Sequence, residues 1–226
     1  MHILTDHIAF PHPSQAEEDG LLAIGGDLHP ERLMLAYHSG IFPWFNEGQM
    51  ALWWSPDPRM VVRPQDVHTS KSMRKVLRDD LFKVTYNQRF LEVILACKRI
   101  KREGQNDTWI TNAMIAAYLK LHEMGHAISV EVWQDDQLVG GLYGIDLKEK
   151  GIFCGESMFS TISNASKVGF ITLSRKLTKE KYHLIDCQMY TDHLASLGAV
   201  EIPREAFLKY LSPIPTSLPS EEEGTV

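Results

Sequence analysis

At 226 residues and 44% hydrophobic side chains, the chain can bury a sizeable core, as one large domain or a small domain joined to a medium one. No apolar run approaches the roughly 20 residues that span a bilayer, Met1 to Ser14 lacks the layout of a signal peptide, and the scattered Cys97, Cys154 and Cys187 suit a reducing cytoplasm rather than a disulfide scaffold. A net charge of −6 argues against a polyanionic partner, yet residues 63–102 carry eleven basic side chains against four acidic ones, a net +7 that leaves −13 elsewhere and can hold phosphates locally.

Along the chain, Pro30 suits the first turn of a short helix bearing Leu33, Met34, Ala36 and Tyr37, with Gly40 as its stop. Ile41 to Phe45 and Leu52 to Pro58 follow as two aromatic clusters separated by turn residues. They read as a rigid irregular wall rather than strands or helices, or as a small tryptophan core. The Gly- and Trp-rich stretch gives way near residue 62 to the basic one, whose charges are either a phosphate-binding face or a solvated helix face. Asn87 is expected to cap a helix with Phe90, Ile94 and Cys97 on one side. Thr111 is expected to cap another bearing Met114, Ala117, Tyr118 and Leu121 and ending at Gly125. Three strand-like runs, Ala127 to Trp133, Leu138 to Ile145 and Gly151 to Phe159, are spaced as antiparallel hairpins. Ser163 then caps a long helix to about Lys179. A buried strand, His183 to Tyr190, and short helices near Asp192 to Leu197 and Pro203 to Leu211 complete the pattern. Pro213 to Val226, rich in Pro, Ser and Glu, reads as a disordered tail. A meander, a helix and a further strand make an α+β domain, in an order that resembles GNAT-type acyltransferases. The expected division is residues 1–62 as a small N-terminal α/β domain contributing the aromatic wall. It packs on residues 63–212, a GNAT-like catalytic domain with a mainly antiparallel sheet, and residues 213–226 are the tail.

Four features bear on chemistry. His122-Glu123-Met124-Gly125-His126 spells the zincin pattern, but Gly125 should end the helix and send the two imidazoles apart, so no metal is expected. The long helix opens Asn164-Ala165-Ser166-Lys167-Val168-Gly169, without the glycine pair that would hold a CoA pyrophosphate, so the acyl donor is something else. In Ile185-Asp186-Cys187-Gln188, alternation sends Asp186 and Gln188 to one face of a strand. They form either a structural network or a site in which Asp186 accepts a hydrogen bond from the Gln188 amide and the Gln188 carbonyl faces an incoming amine. On the run Phe153 to Ser160, Glu156 shares a face with Met158 and Ser160, where it recognises a cationic side chain or pairs with an internal Arg or Lys. The three glycines of Leu138 to Gly144 would let a ligand approach the backbone.

Six segments occur in register: Gly25-Gly26-Asp27-Leu28, Gly40 to Phe45, Trp53 to Arg59, Thr108-Trp109-Ile110-Thr111, Phe153 to Ser160, and Ile185-Asp186-Cys187-Gln188. Over roughly residues 7–211 the chain resembles bacterial leucyl/phenylalanyl-tRNA–protein transferases. The resemblance implies transfer of Leu or Phe, less so Met, from aminoacyl-tRNA to proteins that begin with Arg or Lys, marking them for degradation. It implies no cofactor, no membrane attachment, and a cytoplasmic monomer. By the same analogy Tyr37, Trp44, Trp109, Tyr118, Phe153, Met158 and Phe170 bind the aminoacyl-adenosine end, and Ile185 is a further substrate-binding residue. Glu156, Asp186 and Gln188 match catalytic and peptide-binding positions, with Asp186 and Gln188 as the catalytic pair, and Lys71, Arg74, Lys75 and Arg78 lie where the acceptor stem rests. Leu142, Leu173 and Thr191 stand where Met, Phe and Asn are commoner. Other readings are a different GNAT-like acyltransferase, such as one adding amino acids to a cell-wall precursor, and a non-catalytic RNA- or peptide-binding module.

Overall fold

The computed structural model describes residues 2–100 and 109–212; Lys101, Arg102, Thr108 and the expected tail lie outside this range. Two sheets organise the chain. Strands β1 (His2–Leu4), β2 (Leu21–Gly25), β3 (Phe42–Pro43) and β4 (Leu52–Trp54) form the smaller one, in the order β1-β2-β4-β3. Each aromatic cluster of the first part therefore contains a short strand, Phe42–Pro43 and Leu52–Trp54, where an irregular wall was expected. Their side chains explain it: Trp53 lies at 0% exposure with its indole N–H donating to the Gly25 carbonyl at 2.8 Å, and Trp54 donates to the Trp44 carbonyl at 2.7 Å. Indole donors find backbone acceptors, and that pins strands too short to be stable on their own. Helix α1 (Pro30–His38) begins at the expected proline.

The larger sheet has seven strands. They are β5 (Arg59–Val62), β6 (Lys83–Tyr86), β7 (Ala127–Gln134), β8 (Gln137–Leu147), β9 (Ile152–Ser160), β10 (Leu184–Gln188) and β11 (Val200–Ile202), in the order β11-β5-β10-β9-β8-β7-β6. Every neighbouring pair is antiparallel except β10 with β9. The mainly antiparallel α+β arrangement is the one expected. Residues 59–62, read from sequence with the N-terminal part, hydrogen-bond within this larger sheet. Strands β7 and β8 are joined by a two-residue turn with Asp135 and Asp136 at φ 49° and 59°, the left-handed pair that a tight hairpin needs.

Helices cover both faces. α3 (Phe90–Arg99) and α4 (Asn112–Glu123) pack with α1 on one side, burying Ile94, Cys97, Met114 and Leu121 together with Tyr143 and Ile145. On the other side α5 (Ala165–Lys179) lays Phe170, Leu173 and Leu177 on Val130, Leu142 and Ile185. α2 (Lys71–Arg78) rests against α5 through Met73, beside Val168 and Ile171. α6 (Asp192–Ser196) and α7 (Arg204–Leu211) close the chain. Thr111 caps α4 as expected, its hydroxyl accepting from Met114 N at 3.1 Å. Two other expected caps are displaced. Arg89, not Asn87, precedes α3, while Asn87 sits at φ 58° and its side chain accepts the Ser129 N–H at 2.9 Å. Asn164, at φ 71°, precedes α5 in place of Ser163.

The glycines of β8 serve the protein's own packing rather than a ligand. A Cβ on Gly140 would meet Ala165 Cβ at 2.7 Å, and one on Gly144 would meet Cys154 O at 2.2 Å and the Phe153 ring at 2.5 Å. Gly144→Ala is expected to destabilise the fold by about 1–3 kcal/mol through overpacking, read as a lowered urea midpoint. Gly155→Ala, whose Cβ would lie 3.7 Å from the nearest atom, is the control and should shift the midpoint far less.

Candidate active site

The parallel pair at the centre of the large sheet stays together only briefly. Leu184, Ile185 and Asp186 align with Ile152, Phe153 and Cys154; β9 then continues beside β8 to Ser160, while β10 stops at Gln188. In the gap between them lies a cavity of about 390 Å³. Phe42, Pro43, Trp44 and Trp109 form one wall, and Leu142, Phe153, Met158, Phe170 and Ile185 line it toward α5. Glu156 and Gln188 supply polar groups, and Tyr143, Gly155, Ser157, Cys187, Met189, Thr191, His193 and Leu194 complete the lining.

Alternation fails at the decisive strand. Between Asp186 and Gln188 the register against β5 slips by one residue, and Gln188 takes φ 65°. Such a bulge re-aims a side chain. Gln188 thereby joins Ile185 and Cys187 in lining the cavity, whereas Asp186, at 0% exposure, does not line it. The expected bond from the Gln188 side-chain amide to Asp186 is absent. Instead Gln188 Nε2 donates to Glu156 Oε1 at 2.7 Å, and it is the backbone N–H of Gln188 that donates to Asp186 Oδ1 at 3.0 Å.

Asp186 is held by a residue that sequence reasoning passed over. Arg59 donates through Nε to Oδ1 at 2.8 Å and through Nη2 to Oδ2 at 2.7 Å, and both side chains are 1% exposed. Its remaining nitrogen, Nη1, donates to the Gly40 carbonyl at 3.2 Å, and the guanidinium carbon lies 4.9 Å from the Phe42 ring and 4.7 Å from the Phe207 ring. One signal was present: an arginine followed by Met60-Val61-Val62 is an arginine on a buried strand, and a buried arginine requires a carboxylate.

Glu156 pairs with no cation among the described residues, contrary to one of the two roles weighed for it. Its Oε2 accepts from the Tyr118 hydroxyl at 2.9 Å, and the Tyr118 hydroxyl shares a short hydrogen bond with that of Tyr37. Tyr37 and Tyr118 thus stand behind the carboxylate, outside the cavity lining, while Trp44, Trp109, Phe153, Met158, Phe170 and Ile185 line the cavity itself. Burial pushes the Glu156 carboxyl up to about 7, against the opposing pull of the Tyr37, Tyr118 and Gln188 hydrogen bonds. Burial likewise holds His193 below the usual imidazole value, with Lys167 adding to the effect.

Lys71, Arg74, Lys75 and Arg78 are exposed along α2 and contribute nothing to the cavity. At the end of α4, Gly125 stands at φ 82°, His122 Nδ1 bonds the Ala127 carbonyl at 2.7 Å, and the ring stacks on Phe90 at 4.3 Å. His122 is thus occupied by the helix-to-strand turn.

A family model described as leucyl/phenylalanyl-tRNA protein transferase matches residues 61–212, and one described as the N-terminal domain of that transferase matches residues 26–57. The leucyl/phenylalanyl-tRNA–protein transferase of Flavobacterium johnsoniae is 62% identical over 211 residues, covering 93% of this chain and 99% of that protein. That of Christiangramia forsetii is 60% identical over 211 residues, covering 93% and 100%. Among solved structures, an aminoglycoside acetyltransferase from an uncultured soil metagenomic sample, in complex with sisomicin, aligns over 66% of this chain and 98% of its own at 13% identity, with a TM-score of 0.40.

The buried ion pair makes a clear forecast. Arg59→Met strands the Asp186 carboxylate without a partner and should cost about 3–5 kcal/mol in urea denaturation. Arg59→Met with Asp186→Leu, which removes both charges, should recover most of that loss; equal destabilisation by the single and double variants would show that the charges are not what matters there.

Proposed function

The chain belongs to the leucyl/phenylalanyl-tRNA–protein transferase family, and from that premise we propose that it moves Leu or Phe, and Met less readily, from aminoacyl-tRNA to the α-amino group of proteins beginning with Arg or Lys, marking them for degradation. The observation that carries the reading is the juxtaposition in one cavity of an aromatic wall, an apolar pocket and the Gln188–Glu156 pair. Trp44 and Trp109 offer faces on which a terminal adenine stacks. Leu142, Phe153, Met158, Phe170 and Ile185 make an apolar surface for the transferred side chain. Discrimination among Leu, Phe and Met in such a pocket is worth only about 1–3 kcal/mol per methylene, and Leu142 lies directly on it.

The reaction converts an ester to an amide. It runs downhill and needs neither a nucleotide triphosphate nor a cofactor. Because Gln188 Nε2 is engaged by Glu156, its Oε1 is left to accept an N–H from the acceptor amine and hold it against the ester carbonyl. Proximity of that kind supplies much of an aminolysis rate. Asp186 acts from behind, fixing the Gln188 backbone rather than touching the amine. The ribose hydroxyl leaves along the aromatic wall. Phosphates of the acceptor stem rest on Lys71, Arg74, Lys75 and Arg78, whose side chains are exposed and follow one another along α2. Residues 1–62 contribute Phe42, Pro43 and Trp44 to the aromatic wall, and residues 63–212 carry Trp109 and the remainder of the site. The buried Cys97, Cys154 and Cys187, none of them in a disulfide, suit the cytoplasm, and among the described residues no helix is long and apolar enough to cross a membrane.

Radiolabelled Leu-tRNA or Phe-tRNA mixed with peptides beginning Arg, Lys or Met tests the proposal: label should reach the first two and spare the third, and Gln188→Ala should depress kcat. Labelling of the Met peptide at the same rate would defeat the assignment of acceptor. Replacing Lys71, Arg74, Lys75 and Arg78 by Ala should raise KM for tRNA while sparing kcat. It should also flatten the plot of log affinity against log salt by roughly 0.7 to 0.9 for each phosphate that is no longer neutralised. An unchanged salt slope would remove α2 from the RNA interface.

A further inference from the structure

Aminolysis requires that the acceptor's α-ammonium give up a proton, since an α-amine with a pKa near 8 is mostly protonated at neutral pH. Asp186 is unsuited to receive it, because two hydrogen bonds commit it to Arg59 and it does not reach the cavity. A carboxamide oxygen such as that of Gln188 orients an N–H but does not retain a proton in water near pH 7. Glu156 differs from both. It lines the cavity, it touches Gln188 directly, and no cationic side chain among the described residues neutralises it. The hydrogen bond from Gln188 Nε2 sets the Glu156 carboxylate beside the free Gln188 oxygen, so that one ammonium group can present an N–H to each.

We propose that Glu156 is the catalytic base, its carboxylate accepting the proton that the acceptor's α-ammonium loses as the amine, held by Gln188 Oε1, attacks the ester carbonyl. The proposal rests on the transferase reading above. The nitrogen lone pair forms the new C–N bond while the carbonyl π electrons move to oxygen. Collapse of that oxyanion breaks the ester C–O bond, and the ribose oxygen departs with the bonding pair. Protonated Glu156 returns its proton to that oxygen, and the new amide nitrogen releases its surplus proton to water. One ammonium and one ester become one amide, one hydroxyl and one proton, with Glu156 regenerated. Tyr118 and Tyr37 are positioning residues in this scheme, since Tyr118 bonds the carboxylate from outside the cavity and Tyr37 in turn bonds Tyr118.

The other titratable groups facing the cavity are His193 on α6, Cys187 on β10 and Tyr143 on β8. Burial drives the Cys187 thiol far above its usual value, which removes it as a base. His193 is the competitor, held low by burial and by Lys167. A carboxylate raised to about 7 and an amine near 8 together predict a rise and then a plateau. In the full-length enzyme, kcat/KM for an Arg-peptide with labelled Phe-tRNA should rise through an acid limb near pH 7 and level off above about pH 8, where the amine is already free.

Glu156→Gln should lower kcat about 10² to 10⁴-fold at neutral pH. Its profile should climb to a plateau set by the free amine alone, so that the deficit narrows as pH rises. Tyr118→Phe retains the carboxylate but removes a hydrogen bond that stabilises its charge, and should shift the acid limb to higher pH. A pH-independent deficit in Glu156→Gln residing in KM for the peptide would overturn the proposal in favour of side-chain recognition. So would an acid limb that survives Glu156→Gln but vanishes in His193→Gln, or one that Tyr118→Phe leaves unmoved. Should the native enzyme label no Arg-peptide at all, the transferase reading itself fails; should it label the peptide and Glu156→Gln keep the native profile, only the assignment of the base is lost.

Discussion

Two opposite charges sealed from water, Arg59 and Asp186, hold the middle of this molecule together. Desolvating either ion costs several kcal/mol, and attraction in a low-dielectric interior offsets that cost only when the geometry is good and the leftover donors are satisfied. Both conditions are met. The fork of Arg59 matches both carboxylate oxygens, Nη1 finds the Gly40 carbonyl, and the Phe42 and Phe207 rings both lie against the guanidinium. The pair therefore joins the turn after α1, two strands of the large sheet and the last helix at a single point.

From that point orientation passes outward. Asp186 Oδ1, already fixed by Arg59, accepts the Gln188 N–H and so stabilises a glutamine in the left-handed region, a conformation that costs of order 1–2 kcal/mol for a residue with a side chain. The return is direction: the bulge turns Gln188 away from the ion pair and toward Glu156, which two tyrosines steady from the far side. Gln188 is thus gripped at its backbone by one carboxylate and at its amide by another. The parallel pairing of β9 and β10 adds the space, because the two strands share three residues and then part.

Much of this was legible in the chain, and the failures have identifiable causes. Helix and strand periods revealed the large sheet's meander, α4 with its Thr111 cap, and α5, because those segments are long and one-sided. Strands as short as Phe42–Pro43 or Leu52–Trp54 carry no readable period; indole hydrogen bonds to distant carbonyls hold them. Asp186 and Gln188 were picked out as a pair but placed on one face, since alternation assumes an unbroken strand and cannot foresee a bulge. The glycines of β8 suggested room for a ligand, and that room belongs to Ala165 and Phe153. Arg59 escaped notice because its partner lies 127 positions away.

That separation has a bearing on when the enzyme comes into being. Polypeptides are made from the N-terminus, and contacts far apart in sequence close late. Arg59 must wait for Asp186 while more than half of the chain is synthesised, and for Phe207 until nearly all of it is. A nascent chain thus carries no assembled centre with which to draw on the charged tRNAs feeding its own ribosome.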